Sequence, residues 1–500
     1  MKTKIVSILI LMALIVSSCD LSEEPYGFYS DDNFYKTQTD AEAALMYAYN
    51  AFTFLEYTRG VTNIGDLPTE TTDLKPDEGV DAQEMLKWTA TGTNLSIANY
   101  FKYCYIAINR ANGVLENVET SDFIPEAKNR IMGEAYMIRA WSYFSLARVF
   151  GVVPIQRSMV KTVDQTTPEL AANLDEVYDF IIDDLLKAEA LLGTNRQVGR
   201  FDKVGAWAVL SKVYLTIASS KAHNVAKYRD MNVDVDKMYA EAASWSGKVL
   251  NDQNAYGFDP DLFNIYNVDF PEGPEHIWLI NQDRDGNDEG NYSKTPLMFM
   301  PWGDGQPFYI KLSDGTMVYT TNGWEVYRIN SDFLATFDSK DKRRTELMQD
   351  AIYDAEGNEV GSVASGKIPG VYSIKYIDPH FVGQKTSVKP FMIRFTDIAL
   401  TYAEAVGSSA EGLMWLNKVR ERAGLEAINS GLSTEQFRDK VLQERTWELA
   451  YEGQHLYDLR RTASVTSTVP LAKTAGISED EASFYPIPQL ELDLNPNINN

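Results

Sequence analysis

Two cysteines and four histidines are all that this 500-residue sequence offers to disulfide or metal chemistry. His223, His276, His380 and His455 lie far apart, and no pair has the His-x-x-x-His spacing that sets two ligands on one helix face. No cysteine cluster stands by to complete a zinc site, so no cofactor is expected. Basic residues are short as well: 46 Lys and Arg face 71 Asp and Glu, a formal charge of −25. A field of that sign repels phosphate backbones and anionic lipid heads, which excludes nucleic acid and suits a neutral ligand. No Gly-x-Ser-x-Gly elbow offers a nucleophile. Long apolar runs are missing too. Only Ile5 to Val16 is continuous, and it is too short to span a bilayer.

Two stretches come close to ligand motifs. "GSVASGKI" (361–368) has Gly361, Gly366 and Lys367 at phosphate-loop spacing, but Ile368 stands where Mg²⁺ needs Ser or Thr, so a turn between strands is expected. "DRDGNDEG" (283–290) has the acids of a calcium loop, with Gly286 too early and Lys294 in place of the bidentate acid. A weakly bound Ca²⁺ is the one ion it could take.

Helical periodicity fills both ends of the chain. Apolar spacing predicts helices over 39–56, 96–118, 125–150, 173–192, 202–220, 236–251, 393–406, 411–423 and 433–453. Pro125 and Gly151 give the third its start and stop, and Ser433 with Gln436 forms a capping box for the last. Trp207, Leu210, Ser211 and Tyr214 fall at the offsets of the first helix of a tetratricopeptide repeat. Ala140, Phe144 and Ala147 fall at those of the second. Long insertions break the period, so degenerate helical hairpins are expected rather than a regular solenoid. Residues 254–330 differ: Pro, Gly and aromatic residues crowd there, which reads as loops with short strands, "EHIWLINQ" and "GVYSIKYI" (370–377) being strand candidates. Residues 57–93 read as a second loop insertion. Nothing in between has linker composition, so residues 19–500 are expected to form one domain.

The start of the chain has the form of an export signal. Lys2 and Lys4 precede the apolar run, and Ser17-Ser18-Cys19 resembles the bacterial lipobox, with Val16 where Leu is more usual. That implies cleavage after residue 18 and acylation of Cys19, leaving 44 basic and 71 acidic residues, a charge of −27. Several acyl chains hold firmly, at ~0.8 kcal/mol per buried CH₂. With Cys19 acylated no intrachain disulfide is expected, and Cys104, in apolar "NYFKYCYIAIN", is expected in the core.

Five further stretches carry a family resemblance. "GEAYMIRAWSYFSLARVFGVVPI" (133–155) ends in a Gly-x-Val-Pro turn. "RFTDIALTYAEAV" (394–406) and "LNKVRERAGL" (416–425) follow, then "ERTWELAYEGQHLYDLRR" (444–461), and the chain closes on "FYPIPQLELDLNPNINN". In this order they resemble the SusD/RagB family of Bacteroidetes nutrient-uptake lipoproteins. The acids Asp20, Glu23 and Glu24 after Cys19 are similar to the signal that sends such lipoproteins to the outer face of the outer membrane. The resemblance implies a mainly α, SusD-like fold of four tetratricopeptide-like helix pairs plus a loop-rich region with short strands. It also implies a SusC-like TonB-dependent transporter as partner, over which the protein sits as a lid. It further implies non-catalytic capture of glycan or, as in RagB, of peptide; the acidic charge would then favour basic peptides.

Aromatic residues in the two insertions are the natural ligand contacts. A flat ring buries the C–H face of a sugar while amides, Arg and carboxylates bond the rim hydroxyls. Trp302 stands between Pro, Gly and Asp, a poor context for a core residue. Trp88, Trp324, Tyr292 and Tyr309 are its aromatic companions, and Arg59, Asp66, Asn94, Asp304 and Asn322 the polar ones. Trp141, Trp207, Trp278, Trp415 and Trp447 are expected in the core. Glu444, Glu448 and Glu452, with Arg445, would suit a paired-carboxylate glycosidase. The competing expectation is a buried ion network with Arg420, Arg422, Asp458 or Arg460 that orients helices.

Overall fold

The longest predicted helix begins and ends where its sequence says. Pro125 occupies the first turn of Pro125–Phe150, and Gly151 closes it at φ +78°, a conformation open to glycine. The computed structural model describes residues 35–252, 256–286 and 290–498; the signal segment and Cys19 lie outside the described residues. Helix accounts for 51% of the chain and strand for 9%, so the strands are attachments to a helical frame.

The frame runs α1 (Gln38–Asn50), α2 (Leu55–Gly65), α3 (Leu95–Glu119), α4 (Pro125–Phe150), α5 (Leu174–Leu191), α6 (Lys203–Ala222) and α7 (Val235–Asn251). The short link 120–124 makes α3 and α4 a hairpin. Next, α4 packs on α5 and α6 on α7. Gly133 permits the α4–α5 approach: a Cβ there would lie 2.7 Å from Leu192 Cγ. After the strand region come α8 (Phe395–Val406), which packs back on α7, α9 (Ala410–Arg422), α10 (Thr434–Glu448) and α11 (His455–Arg461). The capping box of Ser433 and Gln436 is formed.

The strands make four small antiparallel sheets. β1 (Thr72–Leu74) pairs β5 (Tyr327–Ile329), and β2 (His276–Leu279) pairs β10 (Phe391–Arg394). Four strands run in the order β4 (Met317–Thr320), β3 (Phe308–Lys311), β7 (Ala351–Tyr353), β8 (Glu359–Ser362). β6 (Met348–Gln349) pairs β9 (Tyr372–Ser373). β2 is buried throughout, and its Trp278 stacks on Phe201 at 4.2 Å and meets Trp141 edge-on at 4.9 Å, joining sheet to helices. Cys104 is fully buried, and burial raises its thiol pKa.

Several expectations need correction. The helix expected over 39–56 divides at 51–54: the Thr53 hydroxyl donates to Asn50 O at 3.0 Å, and buried Phe52 turns in to pack on Tyr57 and Trp278. Residues 57–93, expected as loop, hold most of α2 and a short helix, Val80–Leu86. The last long helix ends at Glu448 because Tyr451 (φ +67°) and Gly453 (φ +71°) are left-handed. Only two residues of 370–377 form a strand. Trp207, Trp415 and Trp447 are half-buried at the edge of the core rather than inside it.

The carboxylates of "ERTWELAYEG" are locked in a buried ion network. Glu448 bonds Arg343 at 3.2 Å, Arg394 at 2.9 Å and Arg422 at 2.7 Å. Glu444 bonds Arg343 and Arg420, and Glu452 bonds Arg394 and Lys375. Of the expected partners, Arg420, Arg422 and Asp458 take part, Asp458 through Arg445, whereas Arg460 donates to Ala482 O. Removing one member of such a set leaves buried charge uncompensated. Glu448→Gln should therefore cost about 3–5 kcal/mol in equilibrium denaturation. A loss under 1 kcal/mol would show that the three guanidiniums do not depend on it.

Candidate functional site

The loop that follows the short buried helix Thr295–Phe299 presents an indole to solvent. Two backbone bonds clamp this loop to the next segment: Gly323 N–H donates to Pro301 O at 3.0 Å, and Glu325 N–H to Met300 O at 3.0 Å. The approach is so close that a Cβ on Gly323 would fall 1.8 Å from Met300 O. Gly303 N–H donates to Asn322 Oδ1 at 2.6 Å, so the Asn322 side chain fixes the turn. Asp304 (φ +52°) and Gly305 (φ +77°) then fold the chain back beside the Trp302 ring. The outcome is a held backbone carrying a side chain that is 54% exposed. Trp324, half-buried, packs against the core just behind.

The platform extends through β3 and β4. Tyr309 lies across from Tyr319 with ring centroids 5.0 Å apart, and Tyr319 meets Phe381 at 5.2 Å. Thr321 Oγ1 donates to Gly383 O at 3.3 Å, which ties the 381–383 segment to the strand leading to Asn322. Asp304 and Asn322 thus sit at the Trp302 turn, while Tyr309, Tyr319 and Phe381 form an aromatic row on the adjoining strands and segment. Tyr319 and Phe381, which the sequence does not single out, join Tyr309 in that row.

The other candidates serve the frame. Trp88 donates its indole N–H to Pro68 O at 2.8 Å and lies over Tyr485. Arg59 is ion-paired to Glu78 at 2.6 Å. Asn94 is the N-cap of α3, accepting from Ser96 and Ile97 N–H and donating to Asp81 O and to Glu84. Asp66 is fully buried. Tyr292 has the Lys385 ammonium over its ring at 5.0 Å, so that face is taken. Residues 287–289 of the calcium-like loop lie outside the described residues, and among the described residues no three potential ligands cluster.

Residues 274–500 match a family model described as the SusD family, and residues 31–215 match one described as starch-binding associating with outer membrane. The chain belongs to the SusD/RagB family. SusD-like protein P2 of Formosa agariphila is 24% identical over 541 residues, covering 100% of this chain and 99% of its own. A laminarin-binding SusD-like protein superposes with a TM-score of 0.74 at 22% identity, over 91% of this chain and 97% of its own. A structure with xylogluco-oligosaccharide gives 0.72 at 19% identity, over 92% and 98%. At these identities the structural likeness is one of fold. Among the described residues of this SusD-family chain, no helix is long and apolar enough to cross a membrane.

The SusD-family motif 444–453 cannot work as an acid pair in this chain. Glu444 and Glu448 are buried, and although burial pushes the Glu448 carboxyl up, Arg422, Arg394 and Arg343 outweigh it and hold it well below the carboxylate range. A general acid needs the opposite shift and an open path to substrate.

The motif's end instead makes a titrating joint with α2. Gly65 and Gly453 touch backbone to backbone; a Cβ on Gly65 would fall 2.3 Å from Gly453 O. Asp66 accepts the Gly453 N–H at 2.7 Å, and burial pushes its carboxyl up to about 7. Burial lowers the pKa of His455, but Glu70, bonded at 2.7 Å, outweighs it and leaves that pKa raised. Both groups hold protons more tightly folded than unfolded. Their stabilising contribution is full below the unfolded values, ~3.9 for Asp and ~6.5 for His. It is lost as pH rises through the folded ones. Glu70 has the opposite sign, and its contribution is lost only as pH falls below ~4.3. Unfolding free energy should thus fall by roughly 1–3 kcal/mol between pH 5 and 8. Asp66→Asn, which keeps an acceptor for Gly453, should flatten that fall; thermal melts that rise with pH over this window would refute the assignment.

Proposed function

We propose that this protein is a non-catalytic, cell-surface glycan-binding lipoprotein, anchored at Cys19, that captures oligosaccharide and passes it to a SusC-like TonB-dependent transporter in the outer membrane. The observation that carries the reading is Trp302: a mostly exposed indole on a backbone clamped at both sides. Folding gains little from exposing a large aromatic ring, whereas a sugar ring can cover it. Tyr309, Tyr319 and Phe381 give the surface length for a chain of sugar rings, and Asp304 and Asn322 offer acceptors and a donor at its edge. The net charge of −25 does not impede a neutral glucan. Relatives described as laminarin-binding, or solved with xylogluco-oligosaccharide, support that ligand class.

Calorimetry of the mature protein against laminarin, xyloglucan and a wider polysaccharide panel tests the reading. Retention of a glycan without release of reducing ends is expected. Trp302→Ala should weaken binding tenfold or more, about 1.4 kcal/mol, while the thermal transition moves little because the ring is exposed. Reducing-end release would make the protein an enzyme, and binding confined to basic peptides would favour RagB-like capture.

A further inference from the structure

A second hollow lies away from the Trp302 surface, where the end of α1 and the turn after it face β2 and the 198–200 turn. It encloses about 270 Å³, a little under the ~300–1,000 Å³ of ordinary small-molecule sites. Its apolar wall includes Met46 and Phe52. Its polar lining includes the amides of Asn50, Asn281 and Asn291, with Tyr49, Thr53 and Arg200. Asn50 uses its NH₂ on Thr53 at 3.1 Å, while the Asn281 and Asn291 side chains are exposed and hold no hydrogen bond among the described residues. Trp278 forms part of the same wall. It is 1% exposed, and its Nε1–H finds no acceptor among the described residues. That N–H has no accessible surface, so the ring contributes to the wall while its donor stays out of a ligand's reach.

The lining is set in advance. Gly199 (φ +76°) lies so close that a Cβ there would fall 2.4 Å from Asn281 Cβ, which fixes the amide's position. The nearby cation is committed elsewhere, since Arg200 is ion-paired to Glu134 at 2.7 Å and to Glu42 at 3.3 Å. What remains is uncharged: carboxamides that donate and accept, the Thr53 hydroxyl and an apolar wall. That set matches a neutral polyol better than an anion or a cation.

We infer that this hollow is a second saccharide site, taking a single neutral sugar ring or chain end, with Asn281 and Asn291 on its hydroxyls and the Trp278 ring in its wall. The inference rests on the glycan reading for its ligand class but on none of the Trp302 residues. The test uses the full mature chain with ¹⁵N-labelled indoles in a Trp302→Ala background, titrated with glucose, galactose and mannose. One remaining indole resonance should move saturably with at least one of them. In the Asn281→Ala, Asn291→Ala double variant, whose exposed side chains make its melting point match the parent, that movement should need at least fivefold more sugar. No moving resonance, or a movement unchanged in the double variant, overturns the inference. Oligosaccharide binding that Trp302→Ala abolishes, with no monosaccharide response, sinks the second site alone. A monosaccharide response in a protein whose oligosaccharide affinity ignores Trp302→Ala keeps this site and sinks the platform. No response to any saccharide overturns both.

Discussion

Glu448 is the point on which the C-terminal half is hung. Its carboxylate lies among Arg343, Arg394 and Arg422, which arrive from three segments distant in sequence. Taking these charges out of water costs several kcal/mol each, and only a complete set of partners offsets that cost. The set is nearly complete: Asp341 bonds Arg343, Glu275 bonds both Arg394 and Arg422, and Glu452 bonds Arg394 and Lys375, while Arg422 Nε finds no acceptor among the described residues. A network of this kind stabilises weakly for its size but tolerates one arrangement, so its value lies in geometry.

That geometry reaches the aromatic core and the loop segments through the strands. Arg394 ends β10, which pairs with β2, and β2 carries Trp278 into the aromatic centre of the helical frame. Lys375 donates to Glu448 O and Ala450 O, holding the segment that leads to Asp378 and Phe381. Asp378 in turn holds Arg284 at 2.9 Å and the Ser387 N–H at 2.7 Å. The half-buried Phe381 ring is thus carried on a segment whose root is in the network.

Local signals were legible and remote ones were not. Pro125, Gly151, Ser433 and Gln436 state helix ends within a few residues, and the structure has those ends. Trp302 could be picked out because Pro, Gly and Asp beside it leave no apolar element to bury it. Asp66 could not be excluded in the same way: its partner Gly453 is 387 residues away, and nothing near position 66 announces burial. Asn94 looked like a ligand amide because an N-cap and a binding amide have the same composition; only the Ser96 and Ile97 N–H groups tell them apart. Of the network, the acids were visible as a motif, while Arg343 and Lys375 lay in segments with no motif at all.

The same remoteness explains why carboxylates abundant enough to suggest hydrolysis do none in this motif. Spacing of three or four residues puts acids on one helix face, whether that face meets a substrate or three guanidiniums. What separates the two is solvation. Glu448 is held ionised by cations in a dry interior, which removes both the proton a general acid must give and the space a sugar would need. The groups left at the surface beside Trp302 are aromatic faces, amides and Asp304.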